Sequence, residues 1–206
     1  MVLVKINTDK LNNRERKQKA ILIAKEMEHI FNHSTFRNIF IKTIQKEIDN
    51  GNFKKGEKSY LRDTKNAQDL YKFFMNGSEV LNPEANKVID IFVDDYYTLK
   101  GVIGYTYPSI NTMFVNTRFF DKRSTKLCGS NITHEYTHKK GAKHSFKRNY
   151  YRQFSFSYLM NNIYEMSYEL IYENKKQKDL EPDGASKIKT RRSLFDIVKD
   201  LLVFWR

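Results

Sequence analysis

Residues 134–144 read His-Glu-Tyr-Thr-His-Lys-Lys-Gly-Ala-Lys-His, a stretch that holds three of the five histidines of the chain. On a helix, His134 and His138 lie one turn apart on the same face, where both imidazoles can bind one metal ion. Glu135 follows the first histidine directly, so its carboxylate can reach a water molecule on that metal. The spacing therefore predicts a metal-binding helix with a catalytic carboxylate.

The second half of the stretch predicts a third ligand. Gly141 allows the left-handed backbone turn with which many helices end. The chain that returns after this turn can bring His144 to the metal. Three protein ligands leave the fourth position of a tetrahedral Zn2+ open, which is typical of catalytic zinc sites. We therefore expect Zn2+ as the cofactor, bound by His134, His138 and His144.

The pattern H-E-x-x-H-x-x-G-x-x-H resembles the zinc motif of the metzincin clan of zincin metallopeptidases. The resemblance covers residues from about 88 to 173. It implies an α+β, zincin-like fold, in which a small antiparallel or mixed sheet precedes the zinc-binding helix and a long helix follows it. It also implies that a protein or peptide substrate binds in extended form along an edge strand, here near residues 112–119.

The reaction implied by the resemblance is zinc-dependent hydrolysis of a peptide bond. Glu135 would act as the general base, which takes a proton from the zinc-bound water and later delivers it to the leaving amine. The zinc ion would polarise the scissile carbonyl group.

The chain departs from the metzincin pattern downstream of the motif. Metzincins have a tight turn with a methionine beneath the metal, often followed two residues later by a tyrosine. Here Met160 is present, but Tyr158 precedes it by two positions. Tyr158 would then be a fifth ligand of the metal or a hydrogen-bond donor to the developing oxyanion. The alternative is that Tyr158 and Met160 are ordinary core residues of a helix. The chain is therefore metzincin-like rather than a standard member of the clan.

A second zincin variant, the gluzincins, takes its third ligand from a glutamate on a later helix. Glu165 and Glu169 are four residues apart on such a predicted helix, so either could replace His144. The glycine and the histidine that follow the motif at the required spacing favour His144.

Three other reactive residues are predicted to be structural. His29 and His33 are also four residues apart, but no third ligand lies near them in the sequence, so we expect surface or packing roles. Cys128 is the single cysteine, which excludes an intrachain disulfide, and we expect it to be a packed core residue.

Hydrophobic periodicity predicts helices at both ends of the chain, and a high content of β-branched and aromatic residues predicts strands in the middle. We expect a helical N-terminal part (1–80), a zincin-like catalytic core (81–174), and a linker with a C-terminal amphipathic helix (175–206), packed together as one compact domain. The predicted helices cover residues 14–31, 34–49, 67–75, 124–140, 157–174 and 193–205, and the predicted strands cover residues 88–97, 102–107 and 112–120.

The segments between these elements are predicted from turn residues and charge. Residues 50–66 are expected to form a loop or weak hairpin, and residues 174–192 a charged surface linker. Tyr107-Pro108-Ser109-Ile110-Asn111 reads as a hairpin connection, so that a small antiparallel sheet is the simplest arrangement of the strands.

Composition restricts the class of protein. The chain of 206 residues is 40% hydrophobic and 30% charged, which is typical of a folded globular protein. Its net charge of +13 is spread along the chain without a nucleic-acid-binding motif, so nucleic acid is not expected as a partner. We also expect no signal peptide, no membrane-spanning segment, and a location in the cytoplasm or within a virion assembled there.

Two alternative functions use other parts of the sequence. The chain could be a zincin-fold structural component of a larger assembly, such as a phage virion, with weak or no peptidase activity. Its small size, and a C-terminal helix that could make contacts with protein assembly partners, favour this alternative. A nucleic-acid binder would use the basic stretch 187–192, Lys-Ile-Lys-Thr-Arg-Arg.

Overall fold

Seven α-helices and a small four-stranded mixed sheet build residues 1–173, the part of the chain that the computed structural model describes. The fold class is therefore α+β. Residues Met1–Asn174 form one compact unit, in which residues on both sides of position 80 share one hydrophobic core. Two predictions fall outside the described residues. They are the linker over 174–192, with its basic stretch 187–192, and the C-terminal helix over 193–205.

Three helices of the N-terminal part confirm the sequence prediction. Helix α1 spans Arg14–Asn32, α2 spans Ser34–Asp49, and α4 spans Ala67–Met75. Each begins at a residue whose side chain accepts hydrogen bonds from the first turn, which satisfies amide groups that the helix leaves unpaired.

The segment between α2 and α4 is more ordered than the predicted loop or weak hairpin. It contains the short helix α3 (Asn52–Gly56) and a 3-10 turn (Tyr60–Asp63). Each element buries one apolar side chain, Phe53 in the helix and Leu61 in the turn. Single apolar residues in a polar stretch produce no periodic pattern, so the prediction missed both elements.

The sheet is mostly parallel. Its strands are β1 (Leu3–Asn7), β2 (Val88–Tyr96), β3 (Gly104–Tyr105) and β4 (Thr112–Asn116), and their order across the sheet is β1-β2-β4-β3. Strands β1 and β4 run parallel to β2, whereas β3 runs antiparallel to β4 at one edge.

These pairings correct two predictions. The sheet is mixed, and the simpler, wholly antiparallel arrangement is wrong because β2 and β4 are parallel neighbours. The predicted hairpin connection over residues 107–111 is confirmed, because β3 and β4 pair antiparallel. Residues 112–119 do not form an edge strand, because β4 lies between two other strands and the chain turns into helix α5 (Thr117–Phe120). The β-branched and aromatic residues that predicted the strands favour an extended backbone and do not specify which strands pair or in which direction.

Two packed helices follow the sheet. Helix α6 spans Thr125–Lys139 and carries the first half of the histidine motif. A 3-10 turn (Tyr150–Phe154) leads into α7 (Phe156–Tyr168), which continues as a π-helical turn (Glu169–Glu173). Ser124 caps α6, as predicted, through a hydrogen bond that its side chain accepts from the amide of Leu127.

Gly129 is explained by the contact between α6 and α7. A Cβ atom at this position would overlap the hydroxyl and Cζ of Tyr164 on α7. The glycine therefore allows the two helices to approach closely, although it lowers the intrinsic helical propensity of α6.

An aromatic core joins the N-terminal helices to α6 and α7. Phe74 on α4 lies with its ring centroid 5.8 Å from that of Tyr136 on α6, and Phe40 on α2 lies 6.1 Å from Phe156 on α7. These buried rings anchor the motif helix in the interior. No helix within residues 1–173 is both long enough and apolar enough to cross a membrane.

Candidate metal centre

The fold brings the three histidines of the motif together. His134 and His138 lie one turn apart on α6, and Gly141 turns the chain with a positive φ of 92°. The loop that follows brings His144 back to the helix, and its Nε2 atom lies 3.3 Å from Nε2 of His134. One ring nitrogen from each histidine lies within 4.8 Å of the other two.

The distance between two of the histidines matches a tetrahedral metal site. Two imidazole nitrogens at the usual Zn–N distance of about 2.0–2.1 Å from one zinc ion lie about 3.3–3.4 Å apart. The distance between the Nε2 atoms of His134 and His144 agrees with that value. Nitrogen donors of this kind suit zinc better than hard cations such as Mg2+ or Ca2+, which prefer oxygen.

Hydrogen bonds from the backbone orient two of the rings. His138 Nδ1 lies 2.8 Å from the carbonyl oxygen of Ala142, and His144 Nδ1 lies 3.1 Å from that of Ser145. Because a carbonyl oxygen can only accept, both Nδ1 atoms carry the proton and both Nε2 atoms present a lone pair. Such outer hydrogen bonds are the usual means of fixing a metal-binding tautomer.

Burial keeps the histidines in the neutral form that binds metals. It lowers the pKa of His144 to about 4, and the positive charge that His138 can acquire adds to this effect. Burial also lowers the pKa of His138, and it places the pKa of His134 well below the ordinary value. At neutral pH, protons therefore compete weakly with a metal for these nitrogens.

Glu135 lies between the histidine cluster and the sheet edge. Its carboxylate is buried, and burial raises its pKa to about 8, while the backbone amide of Thr106 opposes the shift. Thr106 directly follows β3, so the end of the edge strand lies beside this carboxylate. A buried carboxyl group with a pKa near neutrality is suited to proton transfer.

Tyr158 and Met160 have different environments. The ring of Tyr158 lies 4.8 Å from that of His134 and 5.0 Å from that of His144, measured between centroids. Met160 is fully buried in the hydrophobic core. Tyr158 is thus part of the cluster, and Met160 is a core residue.

The glutamates considered as alternative ligands lie elsewhere. Glu165 accepts a hydrogen bond of 2.6 Å from the hydroxyl of Ser130, and Glu169 forms a 3.1 Å ion pair with Lys126. Neither carboxylate belongs to the metal-compatible cluster found within residues 1–173.

The other reactive residues have the structural roles predicted for them. His33 Nδ1 accepts a hydrogen bond of 3.1 Å from the amide of Thr35 and so caps α2, while the ring of His29 packs against Tyr172. Cys128 is buried, and its thiol donates to the carbonyl oxygen of Phe120.

The end of α6 is held by two buried lysines that the sequence does not distinguish from surface residues. Lys139 forms a 2.8 Å ion pair with Glu79, in which the side chains are only 3% and 6% exposed. Lys140 donates to the side chain of Asn76 and to the carbonyl oxygen of Ser78, and burial lowers its pKa to about 7. These contacts fix the helix end from which the His144 loop departs.

Sequence reasoning missed two charged residues beside the cluster. The guanidinium of Arg152 lies over the ring of Tyr158, 4.9 Å from its centroid. Glu57 is fully buried and accepts a hydrogen bond from the amide of Lys143, in the loop that carries His144. Arg152 lies shortly after the motif and Glu57 far before it, and neither belongs to a recognisable pattern, so no local signal could have identified them.

Comparison with protein-family models, curated proteins and solved structures gave no match to this chain. The chemistry of the site is therefore inferred from its own residues. These are three convergent imidazoles, the buried carboxylate of Glu135 and the ring of Tyr158.

Proposed function

We propose that this protein is a zinc metallopeptidase of the zincin type, metzincin-like in its motif, that hydrolyses peptide bonds. The observation that supports this most directly is the convergence of His134, His138 and His144 beside the buried carboxylate of Glu135. Three nitrogen ligands and an adjacent carboxylate are the elements that a hydrolytic zinc site requires.

The proposed reaction divides the work between the metal and the chain. His134, His138 and His144 would hold the zinc ion, which would supply Lewis acidity toward the attacking water and the scissile carbonyl. Glu135 takes a proton from the attacking water and passes it to the leaving amine. Burial raises the pKa of Glu135 to about 8 in the metal-free protein, and the positive charge of a bound zinc ion would lower it toward the ionised form that accepts the proton.

Tyr158 is proposed to donate a hydrogen bond to the developing oxyanion. Its ring is packed perpendicular to that of His134, which limits its freedom to move. Burial raises the pKa of the Tyr158 hydroxyl, so the group stays protonated and able to donate at neutral pH.

The substrate is proposed to bind along β3 rather than along residues 112–119. Among residues 1–173, β3 is a terminal strand, and its outer side pairs with no other strand. An extended peptide can add to such an edge through main-chain hydrogen bonds. A peptide bound there would lie beside Glu135, because Thr106 at the end of the strand contacts that carboxylate.

The test compares the wild-type protein with the Glu135→Gln variant. Zinc content is measured by elemental analysis, and cleavage of a mixed pool of unstructured peptides is followed by mass spectrometry with and without a chelator. The expected result is chelator-sensitive cleavage by the wild type and no detectable cleavage by a zinc-loaded variant. A wild type that binds no zinc, or a variant that cleaves at the wild-type rate, would show the proposal to be wrong.

A further inference from the structure

Glu57 is a fully buried carboxylate whose partners are backbone amides. Its Oε1 atom accepts hydrogen bonds from the amides of Lys58, Ser59 and Lys143, at 3.1, 3.0 and 2.8 Å. Its Oε2 atom accepts a fourth, of 3.0 Å, from the amide of Phe156. Four donated hydrogen bonds of this kind compensate the cost of burying a carboxylate.

Two of the segments joined by Glu57 belong to the candidate metal centre. Lys143 directly precedes the proposed third ligand, His144, and Glu57 and His144 are partners in an isolated antiparallel β-bridge. A further bond of 2.8 Å, from the amide of Lys58 to the carbonyl oxygen of Lys143, strengthens the same contact. The loop that carries His144 is therefore held from residues 57 and 58.

The other segment is the start of α7. Ser155 occupies the N-cap position, but its side chain makes no capping hydrogen bond. Glu57 takes that role by accepting from Phe156, the first residue of the helix, and its negative charge also suits a helix N-terminus. Tyr158 lies two residues further along and is positioned with the same helical turn.

Gly56 allows Glu57 to reach this place. A Cβ atom at residue 56 would lie 2.8 Å from the carbonyl carbon of Phe154 and 2.8 Å from the amide nitrogen of Ser155. These are backbone atoms and cannot rotate away, so only glycine permits the close approach. Gly56 and Glu57 thus act together, one by removing a side chain and the other by supplying a carboxylate.

We propose that Glu57 is a positioning residue of the zinc centre, which sets metal affinity and ligand geometry by fixing His144 and Tyr158 relative to α6. This inference rests on the proposed zinc site, but it does not require peptidase activity. Outer-shell partners of metal ligands typically contribute about 10- to 100-fold to metal affinity. Glu57 acts less directly, because it bonds to the backbone of Lys143, which precedes the ligand, and not to the imidazole of His144.

The experiment measures metal binding directly. Zn2+ affinity is obtained by competition with a chromogenic chelator, and ligand geometry from the visible absorption of the Co2+-loaded protein. The variants are Glu57→Gln, which removes the charge and replaces one acceptor oxygen with a donor, and Glu57→Asp, which keeps the charge but shortens its reach. Glu47→Gln is the control, because Glu47 is also a buried carboxylate, 8% exposed, but bonds to the side chain of Asn52.

The expected result is a loss of Zn2+ affinity of about tenfold or more in Glu57→Gln, with an altered Co2+ spectrum. A smaller loss is expected in Glu57→Asp, and wild-type behaviour in Glu47→Gln. Thermal unfolding of the metal-free proteins establishes that each variant is folded at the assay temperature.

Two outcomes overturn the inference while leaving the zinc site intact. In the first, a folded Glu57→Gln variant binds Zn2+ and Co2+ as the wild type does. In the second, both Glu57 variants fail to fold, which makes Glu57 a residue of general stability. A wild-type protein that binds neither metal would instead reject the proposed function and, with it, this inference.

Discussion

The Nε2 atoms of His134 and His144 lie 3.3 Å apart, although the two residues are separated by ten positions and only one of them is on a helix. The contact depends on the left-handed turn at Gly141 and on the loop contacts made by Glu57. The distance favours a site with three histidines, because the spacing within α6 alone accounts for only two ligands.

His144→Ala should remove stable zinc binding. Two histidines on one helical turn form an incomplete site, whereas the alternative ligands Glu165 and Glu169 are engaged with Ser130 and Lys126. We therefore expect Glu169→Gln to bind zinc as the wild type does. Elemental analysis of the purified proteins after dialysis provides the measurement, and zinc loss in Glu169→Gln instead would reinstate the glutamate ligand.

Tyr158→Phe should lower kcat by about 10²- to 10³-fold without changing zinc content, if the hydroxyl donates to the oxyanion. Tyr164→Phe is a matched control on the same helix, because the Tyr164 hydroxyl is buried without a hydrogen-bond partner among residues 1–173. Steady-state kinetics on one cleaved peptide gives the comparison. Equal effects of the two substitutions would assign Tyr158 to packing alone.

Arg152→Gln should raise zinc affinity by about threefold to tenfold. Burial is the main cause of the low pKa values of the three histidines, but the positive charge of Arg152 contributes in the same direction. The same charge must also disfavour a bound cation, and its effect should shrink as salt is added. Arg37→Gln is the control, since Arg37 packs on Tyr71.

Weaker zinc binding in Arg152→Gln would contradict this prediction. It would indicate that the guanidinium acts mainly by holding the His144 loop, through its hydrogen bond to the carbonyl oxygen of Phe146.

Gly129→Ala should destabilise the metal-free protein by about 1–3 kcal/mol, the usual cost of overpacking. Alanine has the higher helix propensity, by about 1 kcal/mol, but its methyl group would overlap Tyr164. Gly101→Ala has no atom within 4 Å of the added carbon and should change stability little. Urea unfolding measures both, and a more stable Gly129→Ala protein would refute the packing argument.

The thiol of Cys128 should react slowly with a disulfide reagent in the native protein. Burial raises its pKa, so at pH 8 less of it is thiolate than in an exposed cysteine, and the rate should rise only at higher pH. One rapid equivalent is expected in denaturant. Rapid reaction of the native protein at pH 8 would mean that the N-terminal half of α6 opens readily.

Much of the local structure was predictable. The bounds of α1, α2 and α4 follow from amphipathic periodicity and from capping residues, and the site residues on α6 follow from a spacing of four. Strand β1 was not predicted. Its five residues are a short segment, and they form a strand by pairing with β2, which is distant in the sequence.

Residue spacing alone is enough to place His134 and His138 on one face, to put Glu135 beside them and to end the helix at Gly141, because helical geometry is a property of consecutive residues. The tertiary structure decided the rest. Among residues 1–173, β4 lies inside the sheet and β3 is the terminal strand. Packing also brings Glu57 to Phe156, which is 99 positions away in the sequence. Contacts of that kind depend on how whole elements pack, and no periodic pattern along the chain encodes which distant groups will meet.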